Sequence, residues 1–423
     1  MSPAANSNGK HAETSGLRIL WVSNAPWTKT GYGVQTGLNT VLIQELGHQV
    51  TIFAYYGLDG AVTEWRGMHV YPGSPQPWGN DIVRPHAVAT KADIVISLMD
   101  VWVQDKWGKK LADDGILYCP WLPVDQQPAP VRIVEALENA NPAIAMSLFG
   151  QRELLRAGVF TTYVPHCFDP SVYYPGDKQE ARAKLRLPAD KFIIAMVAAN
   201  KGAPSRKCFT EQLMAFAQFK QTHPDAWLYL HTLLNRGEQG EDLVELLTAL
   251  GLKMGSDYGF TAQYDYINGW LPESIATLYR AVDVLSNASM GEGFGVPILE
   301  AQACGTPVVT TLASSMPELT WAGRCVSKVH PFWTPLNAWA WLPNVDALTD
   351  AYSELYEELH DAAGAALLRA RAVEGARPYT TARVRDDYWR PVLEGVKAKV
   401  KVEVKAEVKA EVEAEAEVEE VPA

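Results

Sequence analysis

Short apolar runs alternate with amphipathic stretches along most of the 423-residue chain. Apolar runs bounded by Gly, Pro or Asn are typical of strands buried on both faces of a parallel sheet. In the first half they predict strands over residues 17–24, 50–56, 68–71, 93–98, 116–121, 143–147 and 163–165. Helical periodicity predicts helices from the turn at 30–33 to about 46, over 131–140 and over 151–157. This alternation indicates a parallel sheet covered by helices.

A second alternation follows a connection over 169–190 that is rich in Pro and charged residues. It predicts strands over 192–198, 226–231 and 282–286, and helices over 211–222, 241–250 and 272–281. Ligands of such sheets bind at the carboxyl ends of the strands. Two α/β halves of similar size therefore predict two domains with a ligand cleft between them.

A glycine-rich turn with two carboxylates is the most informative local feature. Residues 291–300 have the sequence GEGFGVPILE, in which Glu292 and Glu300 bracket the turn and the start of an apolar helix. A helix start offers unpaired N–H groups to an anion, and each carboxylate can accept hydrogen bonds from two hydroxyl groups. This pattern suits a sugar nucleotide, although an ordinary strand–turn–helix corner with two exposed acids is the simpler alternative.

Residues 279–309 resemble, in order, the E-x7-E segment of retaining GT-B glycosyltransferases of family 4, and the resemblance extends over 17 to about 395. It implies an α/β fold of GT-B type, with two Rossmann-like, doubly wound parallel-sheet domains and an interdomain cleft. The expected units are an acceptor domain over 17–170, a nucleotide-sugar donor domain over 171–378, and a crossover helix over 379–395 that returns to the first domain. Residues 1–16 are expected to be disordered, and 396–423 form a Lys/Glu/Val/Ala tail of low complexity whose interaction role stays open.

The resemblance also implies roles for individual residues. Glu292 would bind hydroxyls of the transferred sugar and Glu300 the ribose hydroxyls. Backbone N–H groups would come from three residues of the turn, Gly293, Phe294 and Gly295. Trp270 could stack on the base, with core packing as the alternative use.

The diphosphate requires cations, and a basic loop follows the first strand of the second half. The family places an Arg and a Lys on this loop to neutralise the diphosphate and the leaving group. This chain departs from the commonest family spacing because Arg206 and Lys207 are adjacent and Asn200 ends the strand. We expect Lys207 and Arg206 to act with Glu292 as catalytic residues, with Lys201 as a weaker substitute; a solvated basic loop is the alternative.

The first half contributes a glycine turn after its first strand, which resembles the family's glycine loop beside the diphosphate. The residues are Gly31, Tyr32 and Gly33. Asp100 and Asp125 follow predicted strands and are candidates for binding acceptor hydroxyls or moving a proton, with turn or capping duty as the alternative. His166 matches a family hinge motif, and we expect it to be structural.

Composition and charge exclude several classes of function. The net charge of −12 argues against a nucleic-acid groove. The five cysteines are widely spaced without a C-x-x-C pair, which predicts free thiols in a reducing compartment, and no Asp-x-Asp motif is present to hold a metal on a diphosphate. We therefore expect no metal and no cofactor beyond the nucleotide-sugar co-substrate. The polar N-terminus and the lack of 18 consecutive apolar residues predict a cytoplasmic protein without a spanning helix.

Together these features predict a retaining, metal-independent glycosyltransferase that moves a hexosyl group from a nucleoside diphosphate sugar to an acceptor hydroxyl. A GT-B sugar phosphorylase or synthase and a non-catalytic nucleotide-sugar-binding protein are the alternatives. The base, the sugar, the acceptor and the oligomeric state are left open by the residues.

Overall fold

The computed structural model describes residues 16–235, 239–327 and 329–401. Its first sheet has eight strands in the order β3-β4-β2-β1-β5-β6-β7-β8, all parallel except the β3–β4 pair. These strands are β1 Arg18–Asn24, β2 Gln49–Tyr56, β3 Thr63–Trp65, β4 Met68–Tyr71, β5 Ile94–Leu98, β6 Leu117–Leu122, β7 Ala143–Ala145 and β8 Thr161–Tyr163. The helices of this domain are α1 Gly31–Glu45, α2 Val83–Ala89, α3 Trp107–Ala112, α4 Val131–Ala136 and α5 Leu148–Arg156.

The second sheet has six parallel strands in the order β11-β10-β9-β12-β13-β14, and a separate antiparallel hairpin pairs β15 with β16. The strands are β9 Phe192–Val197, β10 Ala226–His231, β11 Tyr258–Phe260, β12 Val284–Asn287, β13 Val308–Thr311, β14 Gly323–Val326, β15 Val329–Trp333 and β16 Trp339–Pro343. The helices are α6 Lys178–Leu185, α7 Phe209–Thr222, α8 Leu243–Ala249, α9 Gln263–Asn268, α10 Pro272–Ala281, α11 Val296–Ala303, α12 Met316–Leu319, α13 Val345–His360 and α14 Ala362–Ala376.

The chain ends in a terminal helix that returns to the first domain. It begins at Thr381, passes through a π-helical turn at Val384–Trp389 and continues to residue 401. Trp389 Nε1 donates a 2.7 Å hydrogen bond to Asn39 Oδ1 on α1, and its ring packs edge-on against Trp21 and Trp121 in the first core. These buried contacts tie the end of the described chain to the first sheet.

Both sheets reverse their strand order at a central strand, and this reversal positions the site. In the first sheet β1 lies between β2 and β5, and in the second β9 lies between β10 and β12. The loops that leave adjacent strands in opposite directions at such a point open a crevice beyond their carboxyl ends. The segments after β1 and β5 carry Gly31 and Asp100, and those after β9 and β12 carry Lys207 and Glu292.

The predicted two-sheet α/β architecture is confirmed, with local corrections. The helix predicted over 131–140 ends at Ala136, and the connection predicted over 169–190 contains α6, which Asp177 caps by accepting from Glu180 N. Asn200 lies three residues beyond β9 instead of ending it. Residues 396–401, predicted as the start of a solvated tail, continue the terminal helix with Val396 buried; the rest of the predicted tail and nearly all of the predicted disordered N-terminus lie outside the described residues.

The thiol prediction agrees with the structure. All five cysteines are free, and four of them are buried. Across the described part of the chain, no helix combines the length and apolar character needed to cross a bilayer.

Candidate active site

Glu292 lies at the centre of a charged cluster between the two domains. Its side chain is buried, Lys207 Nζ forms a short hydrogen bond with Oε1, and Arg206 Nη1 lies 3.3 Å from Oε2. Burial opposes ionisation of this carboxyl, but the charges of Lys207 and Arg206 hold the pKa of Glu292 below its ordinary value. The predicted acid and the two predicted cations therefore form one ion-paired group.

Serine side chains that the sequence analysis missed hold the Glu292 loop in place. Ser289 Oγ donates a 2.6 Å hydrogen bond to Glu292 Oε1, and Ser314 Oγ accepts one of 2.7 Å from Glu292 N. Ser315 Oγ lies 2.7 Å from the carbonyl oxygens of Glu292 and Phe294. Ser314 and Ser315 follow β13 and lie outside the glycine-rich motif, so the motif alone gave no sign of them.

The glycines of this loop serve the contact between the domains. A Cβ on Gly291 would lie 2.2 Å from Asp125 O, and one on Gly293 would lie 2.3 Å from Pro123 Cβ. Only a residue without a side chain allows the loop to approach the segment after β6 this closely. In the structure, Gly291 and Gly293 thus allow close contact with the first domain; the predicted use of the Gly293 N–H group in donor binding stays a prediction.

The first domain presents two carboxylates to this cluster. Asp125 Oδ2 lies 4.0 Å from Arg206 Nη1. Burial raises the pKa of Asp100 to about 6, and the negative charge of Asp125 adds to the rise while Arg206 and Lys201 oppose it. Burial also raises the pKa of Asp125. Asp100 and Asp125 are therefore within electrostatic range of Arg206. Turn or helix-capping duty, the alternative roles of these two acids, would not require that proximity.

The glycine turn of the first domain lies on the same side of the cleft. Thr30 caps α1 by accepting a 3.0 Å hydrogen bond from Gly33 N, and a Cβ on Gly33 would clash with Thr28. A Cβ on Gly31 would meet no atom within 4 Å. Burial raises the pKa of Tyr32 well above its ordinary value, with Asp100 adding to the rise and Arg206 opposing it.

Glu300 lies on α11 in a separate, buried environment. Tyr279 OH donates a 3.2 Å hydrogen bond to Glu300 Oε2, and Tyr173 provides a second hydrogen bond. Burial raises the pKa of Glu300 to about 7, and the two tyrosine hydrogen bonds only partly offset this rise. Two tyrosine hydroxyls of the protein thus bind this carboxyl, although neither tyrosine was singled out from the sequence.

Three other predicted residues lie around the cluster. Phe294 is buried, and its ring packs against His166 at 5.1 Å and Tyr379 at 5.9 Å. His166 packs on Trp121 at 4.5 Å, and its Nδ1 has no hydrogen-bond partner among residues 16–235, 239–327 and 329–401. Its structural role stays a prediction. Trp270 is half-buried against His231, with 5.0 Å between ring centroids.

Lys201 is exposed on the loop after β9, and its charge acts on Asp100. It lies on the same side of the cleft as Arg206 but outside the ion-paired group. A cavity of about 850 Å³ lies elsewhere, at the amino-terminal edge of the first sheet beside Arg18, Asp93 and Val400, and none of the predicted site residues lines it.

The carboxylates that the structure describes in this region are not arranged as a metal-binding cluster. Within the described ranges, no group of three or more His, Cys, Asp or Glu side chains is arranged to hold a metal ion. Positive charge at the site comes instead from Arg206 and Lys207. Activity without a metal stays a prediction.

Additional contacts hold the domains together beside the cluster. Glu318 on α12 accepts hydrogen bonds from the backbone N–H groups of Leu148, at 2.9 Å, and Phe149, at the start of α5. A carboxylate at a helix start is favoured by the unpaired N–H groups there. The structure therefore has the two lobes in direct contact around the predicted site.

Comparison with known proteins agrees with this geometry. Residues 252–358 match the family described as glycosyl transferases group 1. A D-inositol 3-phosphate glycosyltransferase of Rhodococcus erythropolis is 32% identical over 141 residues, which are 33% of this chain and 30% of that protein. The chain thus matches less than a third of that relative's length.

Solved structures resemble nearly the whole chain. Sucrose-phosphate synthase from Thermosynechococcus elongatus has a TM-score of 0.68 and 21% identity, covering 92% of this chain and 100% of that one. The Anabaena protein HepE, solved in complex with UDP-glucose, has a TM-score of 0.65 and 17% identity, covering 90% and 100%. At these identities the likeness establishes the fold.

Proposed function

We propose that this chain, a GT-B protein of the glycosyltransferase family 4 kind, transfers a hexosyl group from a nucleoside diphosphate sugar to an acceptor hydroxyl, with retention of configuration and without a metal. The observation that carries the proposal is the ion-paired group of Glu292, Lys207 and Arg206 at the contact between the two domains. The group brings an acid and two cations together beyond the carboxyl ends of the adjacent strands β9 and β12, and α/β proteins bind nucleotides at such positions.

The cations supply the electrostatic part of the mechanism. When the bond between the sugar C1 and the diphosphate oxygen breaks, negative charge develops on the departing diphosphate. Arg206 can fork onto two phosphate oxygens and Lys207 can act as a point charge, so both stabilise the transition state more than the ground state. Their pairing with Glu292 keeps them oriented before the donor binds.

Glu292 and Glu300 would orient the donor. The Glu292 carboxylate, anchored by Ser289, accepts hydrogen bonds from hydroxyls of the transferred sugar. Glu300 accepts hydrogen bonds from the ribose hydroxyls, which replace or join those of Tyr173 and Tyr279. Both contacts fix the sugar relative to the cations, and such positioning lowers the entropic part of the barrier.

Asp100 and Asp125 would act on the acceptor. A carboxyl with a pKa near 6 is largely ionised at neutral pH and can accept a hydrogen bond from the attacking hydroxyl. In a retaining transfer the acceptor oxygen forms its bond to C1 on the face from which the diphosphate leaves. The acceptor proton then passes to a diphosphate oxygen, so that no separate base has to be regenerated.

The direct test is a screen for donor binding followed by product analysis. Thermal shift with UDP, GDP and ADP, each free and as the glucose conjugate, identifies the base, because a ligand at 100 times its Kd stabilises the folded state by about 2.7 kcal/mol. UDP-glucose is the first donor to test, since HepE is solved with it. NMR of the product anomeric proton then determines retention, and turnover in EDTA determines the metal requirement.

The same assay separates the alternatives. Release of hexose 1-phosphate with orthophosphate would favour a phosphorylase, and formation of nucleotide sugar from nucleoside diphosphate would favour a synthase. Donor binding without hydrolysis or transfer to any acceptor would favour a binding protein. Failure of all nucleotides to stabilise the protein would refute the proposal.

A further inference from the structure

The hairpin of β15 and β16 belongs to neither large sheet and exposes two tryptophans. Trp333 and Trp339 are directly opposite each other in its register, and their ring centroids are 4.8 Å apart. Their exposed fractions are 51% and 41%. Large aromatic side chains left in solvent side by side are uncommon unless they bind something.

The opposite face of the hairpin is packed against the active-site loops. Ala340, Phe332 and Leu342 pack with Met290 and Cys208. Cys208 directly follows Lys207, and Met290 is two residues before Glu292. Trp341 N also donates a 3.1 Å hydrogen bond to Met290 O. Alternation along the two strands therefore leaves Trp333 and Trp339 on the outer face of a firmly seated hairpin.

The free edge of β16 is joined to the first domain. Gln127 N donates to Trp339 O at 3.0 Å, and Trp339 N donates to Gln127 O at 2.8 Å. Thr334 Oγ1 donates a 2.7 Å hydrogen bond to Gln126 Oε1. The hairpin thus bridges both lobes at the rim of the cleft, next to the segment that carries Asp125.

We propose that Trp333 and Trp339 form a binding platform for a sugar ring of the acceptor, so that the acceptor is a saccharide. This inference rests on the proposed transferase function and adds the class of its acceptor. The C–H groups on the face of a pyranose ring are apolar and weakly positive, and they match the negative face of an indole. The hydroxyls at the edge of the ring need polar partners, which Gln126 and Asp125 provide beside the pair.

The spacing fits an oligosaccharide. Asp125 is two residues from Gln127, and Gln127 pairs with Trp339 across one strand spacing. Gln126 forms a bend between Asp125 and Gln127, and Asp125 therefore lies beside the edge of the hairpin. One sugar unit can then present its hydroxyl at Asp125 while the next unit stacks on one of the two indoles, whose planes are inclined at 69° to each other.

The polar surroundings argue for a sugar over an aliphatic partner. Arg206 and Asp125 are charged and lie 4.0 Å apart near the rim, and an aliphatic chain crossing them would remove both from water without replacing their hydrogen bonds. A hydroxyl-rich ligand replaces those bonds. The two tryptophans, held on a hydrogen-bonded hairpin, also lose little conformational entropy when a ring stacks on them.

Saturation-transfer difference NMR with maltose and cellobiose as probes, in the presence of UDP, tests the platform directly. We expect Trp339→Ala and Trp333→Ala each to weaken disaccharide binding about tenfold, and Trp339→Phe to retain most of the affinity. Phe160→Ala is the control, because Phe160 is 83% exposed and immediately precedes β8, away from the carboxyl ends of the strands.

Kinetics distinguish this inference from the proposed function. Each Trp→Ala variant should raise KM for a saccharide acceptor about tenfold, with kcat and donor hydrolysis within about twofold of wild type. Unchanged disaccharide binding in Trp339→Ala, or transfer by the wild type to aliphatic alcohols but to no saccharide, would overturn the platform. Absence of both donor binding and donor hydrolysis would instead refute the transferase, whatever the tryptophans bind.

Discussion

The two sides of the cleft, the proposed donor side around Glu292 and the proposed acceptor side around Asp100 and Asp125, differ in how their charges are balanced. On the donor side, Glu292 is buried and paired with Lys207 and Arg206, which keep it ionised. On the proposed acceptor side, burial raises the pKa values of Asp100 and Asp125; the charges of Arg206 and Lys201 oppose the rise at Asp100, and those of Arg206 and Lys207 oppose it at Asp125. The proposed donor side is therefore held by close ion pairs, whereas on the proposed acceptor side burial dominates and the nearest ion pair, Asp125 with Arg206, is 4.0 Å long.

We expect the largest loss of activity when one charge of the Glu292–Lys207 pair is removed. Glu292→Gln and Lys207→Ala should each lower turnover about 100- to 1,000-fold, as loss of one preorganised electrostatic contact does in other enzymes. Steady-state kinetics with the identified donor measures the loss. Circular dichroism should show both variants folded.

Two controls accompany these variants. Glu354→Gln makes the same chemical change in an ion pair with Arg324 and should leave turnover unchanged. The double variant Glu292→Gln/Lys207→Ala should lose little more turnover than either single variant, because Glu292 and Lys207 act as one unit. Near-normal turnover in both single variants would remove the basis of the site assignment.

A smaller effect is expected on the acceptor side. Asp100→Asn and Asp125→Asn should reduce transfer about 10- to 100-fold while donor hydrolysis by water stays within a few-fold of wild type, since these acids act on the acceptor. Comparing the two rates in one assay isolates the acceptor side. Equal loss of hydrolysis and transfer would place both acids in donor chemistry instead.

The protonation of Glu300 provides a test by pH. Its folded pKa of about 7 lies above its ordinary value of 4.5, so the folded ligand-free protein binds more protons than the unfolded chain between these values. The free energy of unfolding should therefore contain a contribution that falls as pH rises from about 4.5 to about 7 and then levels off. Urea titrations of wild type and Glu300→Gln should reveal this contribution as their difference.

The same group should make nucleotide affinity depend on pH. Ribose hydroxyls donate to the ionised carboxylate, so calorimetric affinity for the identified nucleoside diphosphate should increase as pH rises through about 7. In Glu300→Gln this dependence should be weaker. An identical pH profile in both proteins would mean that Glu300 does not contact the ribose.

The smallest expected effect concerns the contact that joins the domains. Glu318→Gln weakens the hydrogen bonds to Leu148 N and Phe149 N and should lower stability by about 1 kcal/mol. Scanning calorimetry should detect a fall in Tm of a few degrees. The control is Glu374→Gln, which removes an exposed ion pair with Arg377 and should change Tm by less. An equal change in Tm in the two variants would show that the interdomain contact adds no stability.

Regular periodicity made much of the fold predictable. The strand over Ala226–His231 and the helix over Pro272–Ala281 occur at the predicted bounds, because continuous apolar runs and a Pro-initiated amphipathic stretch each favour one local structure. Unlike the three-residue strands β7 and β8, which overlap predicted strands, the three-residue strands β3 and β11 were not predicted. Their conformation depends on pairing with β4 and β10.

The candidate site was predictable to the extent that motifs are local. The glycine-rich turn and the basic loop placed Glu292, Arg206 and Lys207, which the fold brings together over 85 residues of sequence. Ser289, Tyr173 and Tyr279 could not be assigned roles, because a serine or tyrosine gives no sign of its partner until the chain is folded.

The sequence by itself determined two α/β halves, the positions of most of their strands along the chain and which charged residues follow those strands. Periodicity and turn chemistry act over short distances, so they can be seen in the sequence. Only the tertiary structure decided that Gly291 and Gly293 contact the segment 123–125, that the β15–β16 hairpin bonds to Gln127, and that Asp100 and Asp125 face Arg206. These features depend on how two domains approach each other. Burial and the distances between charges arise only from that approach.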